Sequence, residues 1–251
     1  MVRLMSETQN TRDFGYEEVA PEEHTRRVKG VFDSVAGRYD LMNDLMSAGI
    51  HRLWKAEMIR MLRPRSVDTL VDVGGGTGDL AFKYLENGGR AVTVIDINEQ
   101  MIRVGRDRAL DRGLLDPVWV TGSAEDLPLP DNSVDGYVTA FCMRNVTRRD
   151  KALKEARRVL RPGGRYLCLE FSRVVFDPLR PLYDVYSFTV LPRLGQMVAG
   201  DADSYRYLAE SIRRFPSQED FAHEIEEAGL AQVRWRNLTG GIAAIHSARR
   251  I

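Results

Sequence analysis

The sequence predicts an α/β fold: a mostly parallel, seven-stranded sheet with helices on both faces, a helical cap before it and an insertion after the fifth strand. Three observations carry this. From Thr69 to Phe171, short apolar runs alternate with amphipathic helical stretches, the pattern of parallel strands joined by crossover helices. A glycine-rich turn, Gly74 to Gly78, stands where the first of these strands meets the first helix. No stretch approaches the roughly 18 consecutive apolar residues that a membrane-spanning helix needs.

Taken in order, residues 1–24 are polar and acidic in their second half, and are expected to be a mobile tail. Residues 25–251 are expected to form one domain. Its helical cap, residues 25–62, places Val28, Val31, Phe32 and Val35 at helix spacing and stops before Pro64. Thr69–Val73 reads as a buried strand. Leu80–Leu85 reads as a helix, closed by Gly88-Gly89. Ala91–Ile95, Pro117–Thr121 and Val134–Phe141 are the second, third and fourth strands, with a helix from Gln100 to about Leu110 between the first two of them. Thr147 and Asp150 have capping-box spacing before a helix that buries Leu153, Ala156 and Leu160 and ends at Pro162-Gly163-Gly164. Arg165–Phe171 is the fifth strand. Residues 172–216, rich in Tyr, Phe, Leu and Pro, break the rhythm and read as an insertion or lid. A last helix carrying Phe221, Ile225 and Ala228 precedes two short strands near 231–237 and 241–246.

Composition excludes several functions. Lys plus Arg and Asp plus Glu both number 36, so no basic excess marks a nucleic-acid binder. The N-terminus shows no apolar signal region, and the chain reads as cytoplasmic. The two cysteines, Cys142 and Cys168, fall in or beside strands and read as reduced core residues. Four scattered histidines make no metal-ligand pattern, and no metal is expected.

The chemistry concentrates at Asp72-Val-Gly74-Gly-Gly76-Thr77-Gly78-Asp79. Glycines let a backbone turn tightly and approach a ligand. The spacing is GxGxG, and the position where a dinucleotide fingerprint ends in Gly is Asp79. A pyrophosphate disfavours nearby carboxylates. S-adenosylmethionine, with its sulfonium and ammonium, is attracted by Asp72 and Asp79. Asp96, ending the second strand, can accept hydrogen bonds from ribose hydroxyls. The loop after the third strand, starting Gly122-Ser123-Ala124, borders the same crevice and is similar to the adenine loop of class I (Rossmann-like) methyltransferases. That likeness assigns Ser123 and Ala124 to the adenine, beside Asp72, Gly74, Gly76, Thr77, Gly78 and Asp96 as cofactor-binding residues.

Three longer strings narrow the family: Tyr39 to Lys55; Arg144-Asn145-Val146-Thr147 with the stretch Arg158 to Ser172; and Asp201 to Ile212. They resemble the UbiE-type C-methyltransferases, from about Phe14 to the Asn237–Gly241 string. The resemblance implies methylation of a ring carbon of a polyprenylated quinol, a demethylmenaquinol or a 2-polyprenyl-6-methoxy-1,4-benzoquinol, with S-adenosylmethionine consumed as co-substrate. Phe141-Cys142-Met143 departs from the family's usual Phe-Gly before Arg-Asn-Val, and Ala140 stands where a Ser is sometimes used. Arg144, Asn145 and Tyr39 are the expected catalytic residues. Arg144 would stabilise a developing phenolate, because an arginine stays protonated.

His51 is read as a packing residue and Asp203 or Ser204 as a helix cap; Asp201 and Asp203 resemble a metal pair only superficially. Aromatic and aliphatic residues of 171–198 could wall a groove for the prenyl tail, with peripheral contact to a membrane on the cytoplasmic face. A homodimer is compatible with the sequence. Two other readings fit the glycine loop: methylation of another small acceptor such as an amine or sterol, and a non-catalytic scaffold that binds S-adenosylmethionine.

Overall fold

The computed structural model describes residues 11–35, 39–47, 49–199 and 202–251. Its centre is a seven-stranded sheet in the order β5-β4-β3-β6-β7-β9-β8. The strands are β3 (Thr69–Val73), β4 (Ala91–Asp96), β5 (Val118–Thr121), β6 (Val134–Ala140), β7 (Leu160–Phe171), β8 (Ala231–Leu238) and β9 (Ala243–Arg249). Only β9 runs against its neighbours. The chain builds outward from β3 through β4 to β5, then returns to β6 on the other side of β3. Loops leaving β3 and β6 therefore diverge, and a crevice opens at the carboxyl ends of these strands.

Strand alternation sorts the core. Along β7, Leu167, Leu169 and Phe171 face one side, where they meet Trp54 and Met58 of α3 (His51–Leu62) and Leu80 and Tyr84 of α4 (Asp79–Glu86). Tyr166 and Cys168 face the other, with Leu153 and Ala156 of α6 (Arg149–Val159) and Phe221 and Ile225 of α10 (Gln218–Glu227). Helix α5 (Glu99–Asp111) starts at Asn98, whose side chain accepts from the amides of Gln100 and Met101.

The segment before the sheet differs from the expected tail. Arg12–Phe14 (β1) and Glu17–Val19 (β2) pair as an antiparallel hairpin, and α1 begins at Pro21 and runs to Val35. The hairpin is held because Phe14 stacks on Tyr207, centroids 4.2 Å apart. Tyr207 lies on α9 (Ala202–Arg214), within the 172–216 segment. Its described residues include three helices, α7 (Arg180–Val185) and α8 (Leu191–Ala199), joined through a π-turn at Tyr186–Val190, and α9. Helix α2 (Tyr39–Ser47) completes the cap.

The capping box expected at Thr147 does not form. Helix α6 begins at Arg149, and the Thr147 hydroxyl is engaged by His24 and Thr25 instead. Asp203 is in the first turn of α9, beside Arg206 at 3.3 Å, rather than before it; Asp201 lies outside the described residues. His51 is buried, with Nε2 2.9 Å from Asp44 Oδ1.

Candidate active site

The crevice after β3 and β6 is a cleft of about 170 Å³. Gly74, Gly76, Asp96, Ser123, Ala124 and Asn145 all line it, so six of the residues singled out in the sequence converge. The other cofactor candidates stand behind this lining. The Thr77 hydroxyl accepts from Arg108 Nη1 at 2.6 Å. Gly78, at φ +81°, leaves room for the Trp119 ring, which a Cβ would meet at 2.4 Å. Both support the loop from beneath.

The loop is shaped for close approach. Gly74 has φ +64°, and a Cβ there would sit 2.2 Å from Cys142 Sγ. The Gly74 amide donates to the Ile95 carbonyl at 2.7 Å, tying the loop to β4. Asp96 is half-buried. Its Oδ2 accepts from the Gly76 amide at 2.9 Å and its Oδ1 from the Asn98 amide at 2.8 Å. Burial pushes the Asp96 carboxyl up to about 6, against the pull of those two amides.

Asp72 is fully buried under the glycine turn, and neither oxygen has a hydrogen-bond partner of normal geometry among the described residues. Burial pushes its carboxyl up to about 7, with the Lys55 charge opposing. Lys55, itself buried on α3, pairs with Asp79 Oδ2 at 2.8 Å. Burial alone would raise the Asp79 carboxyl; the Lys55 ammonium, together with the Lys83 and Arg108 charges, outweighs it and holds the group below its usual value. Asp79 is therefore committed to Lys55 rather than free to attract a ligand, a correction to the expectation above.

The residue set fits S-adenosylmethionine. Bare glycine backbone can lie against it, Asp96 faces the cleft where ribose hydroxyls would bond, and Asp72 places a buried carboxyl below the loop, with Lys55 as its opposing charge.

On the β6 side, Phe141 takes φ +57°, an uncommon conformation for a bulky residue. This turns its carbonyl back into the loop, where Arg144 Nη1 donates at 2.6 Å and Asn145 Nδ2 at 3.3 Å. Arg144 is also paired with Glu170 Oε1 at 2.9 Å, both side chains 1 % exposed. Its guanidinium thus lies behind the cleft lining, not in it. Asn145 does face the cleft, and its Oδ1 accepts from the Tyr207 hydroxyl at 3.1 Å. Tyr39 opens α2; its side chain lies outside the described residues.

Sequence reasoning missed the outer wall, where Thr25, Val28, Lys29 and Phe32 of α1 cover the cleft. The helical spacing of Val28 and Phe32 was visible, but not what it packed against. Tyr207 and Lys55 were missed too, although both sit in the strings that carried the resemblance. Among the described residues no His, Cys, Asp and Glu side chains gather into a metal-holding cluster.

The family model and the curated relatives agree on one family. The model of the ubiE/COQ5 methyltransferase family matches residues 20–250. The ubiquinone/menaquinone biosynthesis C-methyltransferase UbiE of Methylobacterium nodulans is 55 % identical over 98 % of this chain and 100 % of its own length. The protein of the same description from Brucella abortus is 55 % identical over 93 % of this chain and 89 % of its own. A SAM-dependent methyltransferase of Thermotoga maritima shares the fold, with TM-score 0.64 at 20 % identity over 89 % of this chain and 100 % of that one.

Proposed function

The chain belongs to the ubiE/COQ5 methyltransferase family, and from that premise we propose that it methylates a ring carbon of a polyprenylated quinol in ubiquinone and menaquinone biosynthesis. It is an S-adenosylmethionine-dependent C-methyltransferase. The single observation that carries the site is the convergence of Gly74, Gly76, Asp96, Ser123, Ala124 and Asn145 on one cleft.

Gly74, Gly76, Asp96, Ser123 and Ala124 would hold S-adenosylmethionine, which supplies an activated methyl group. Asn145 is positioned to hydrogen-bond an oxygen of the acceptor ring. Its amide is pinned between the Phe141 carbonyl and the Tyr207 hydroxyl, so no reorientation is needed as charge develops. Arg144 acts from behind, fixing the strained Phe141 carbonyl and the loop that presents Asn145. Alignment of ring carbon and methyl is the main contribution required of the protein.

The polyprenyl tail and peripheral membrane contact belong to this reading. Six exposed apolar side chains, Val175, Phe176, Leu182, Val185, Phe188 and Val190, cluster within the 172–216 segment. So many exposed apolar side chains within sixteen positions support an interaction surface there, and a bilayer holding the prenylated substrate suits it. No helix among the described residues is long and apolar enough to cross a membrane, so contact would be at the surface. The test is transfer of labelled methyl to quinols of increasing tail length, with and without vesicles. Turnover that rises with the tail supports the reading; equal turnover on tailless and tailed quinols refutes the tail's role.

A further inference from the structure

We propose that His24 receives the proton released during ring methylation, through the hydroxyl of Thr147. This rests on the quinol reading above.

Replacing a ring hydrogen with a methyl group frees one proton per turnover. The methyl arrives with its bond to sulfur broken; the sulfur keeps that electron pair and ends as a neutral thioether. The ring C–H bond breaks and its electron pair restores the aromatic ring. The departing proton needs an acceptor, and Arg144 is protonated and locked to Glu170.

The wall of the cleft offers a different route. Thr147 lines the cleft on one side and a second, polar cleft on the other. Its Oγ1 is 2.8 Å from His24 Nδ1 and 2.9 Å from Thr25 Oγ1. Either hydroxyl can donate across the Thr147–Thr25 contact; when Thr25 donates there rather than to the Pro21 carbonyl 3.1 Å away, the Thr147 proton is directed at His24 Nδ1. His24 is buried, 3 % exposed, yet borders the polar cleft and so has a path to water.

The surroundings keep the ring ready to accept. Burial and then the Arg12 charge push the His24 imidazole below its usual value, with the Asp13 backbone and carboxylate opposing. Arg12 and Asp13 come from β1, Thr147 and Arg148 from the loop before α6, and Glu224, paired with Arg149, from α10. A neutral imidazole results near pH 7. In the transfer, Thr147 Oγ1 gives its proton to Nδ1 and takes one from the cleft side, from the acceptor or a bridging water. The imidazolium so formed discharges into the polar cleft.

His24→Gln keeps a side chain able to hydrogen-bond Thr147 but unable to carry the proton. The enzyme as it exists is assayed for labelled methyl transfer to a prenylated quinol, with S-adenosylmethionine affinity measured alongside by calorimetry. The expected result is affinity within about twofold of the parent and kcat lowered by about a hundredfold or more, the lower side of what general base catalysis supplies. In His24→Ala, which opens the space the ring occupied, imidazole in the medium should restore part of kcat, which a structural role would not allow. Thr147→Val should lose kcat without imidazole rescue, and the double variant should be no slower than the slower single one.

Parent-like kcat in His24→Gln overturns the proposal. So does a loss in His24→Ala that imidazole leaves untouched, or a loss accompanied by lost cofactor affinity. A parent chain that methylates no quinol fails the reading of function itself, an outcome distinct from a parent that turns over and a variant that does too.

Discussion

Replacing Arg144 with alanine should damage the fold and the chemistry by separable amounts. The pair with Glu170 has both side chains 1 % exposed. Removing one member of a buried pair leaves an uncompensated charge, typically a loss of 3–5 kcal/mol. Here Glu170 would keep two backbone donors, the Phe171 amide at 2.9 Å and the Arg144 amide at 3.3 Å. The loss should therefore sit at the lower side, about 3–4 kcal/mol. At roughly 2–4 °C per kcal/mol for a chain of this size, Tm falls by roughly 6–16 °C.

Burial already raises the Glu170 carboxyl, with Arg144 opposing. An acid with a raised folded value is best tolerated at low pH and loses stability as pH rises. The deficit of Arg144→Ala should thus shrink toward pH 5. The double variant Arg144→Met, Glu170→Met should recover most of the lost stability, since apolar residues often replace buried pairs without net cost. It should stay slow, because the Phe141 carbonyl still lacks the closer of its two donors, Arg144 Nη1, and keeps only Asn145 Nδ2. Thermal melts across pH and methyl-transfer kinetics decide this. A single variant melting within about 2 °C of the parent would refute the structural role given to the pair, and a double variant with parental kcat would refute the link from Arg144 to the cleft.

Other outcomes follow from the same geometry. Gly74→Ala, with its Cβ 2.2 Å from Cys142 Sγ, should weaken S-adenosylmethionine binding at least tenfold by calorimetry. Cys142→Ala should not rescue it, because the Cys142 Cβ would remain at 2.5 Å. The Asp96 and Asp72 carboxyls lie at about 6 and about 7. Affinity for the cationic cofactor should therefore rise as pH increases through that window. Stability of the ligand-free chain should move the other way, since the native state binds the extra protons at the low end. Asp96→Asn should weaken binding and flatten the lower part of the affinity profile. Leu182→Glu with Val185→Glu, both on the exposed face of α7, should reduce sedimentation with anionic vesicles while leaving S-adenosylmethionine affinity unchanged.

What could be read from the sequence followed from local rules. Strand β3 was bounded correctly because its apolar run is short and stops at a glycine turn, and β4 and α5 were placed within a residue or so for the same reason. The glycine loop, Asp96 and the Ser123 loop were legible because each sits at a strand's carboxyl end, where the topology brings such ends together. What was hidden depends on long-range packing. Phe14 is fixed by a ring on α9, nearly 200 positions away, so no local pattern could order the hairpin. Thr147 has capping-box spacing, but tertiary partners on α1 take its hydroxyl. Arg144 was expected to face the substrate; the acid that turns it inward, Glu170, lies on the next strand, a pairing visible only once β6 and β7 are in register.

The most direct test of the central claim is the site of methylation. Purified protein is given S-adenosylmethionine carrying a labelled methyl group, with demethylmenaquinol and 2-polyprenyl-6-methoxy-1,4-benzoquinol, and the products are resolved by mass spectrometry. The account expects the label on a ring carbon of at least one quinol. Label found only on oxygen, or no transfer while S-adenosylmethionine still binds, would contradict it.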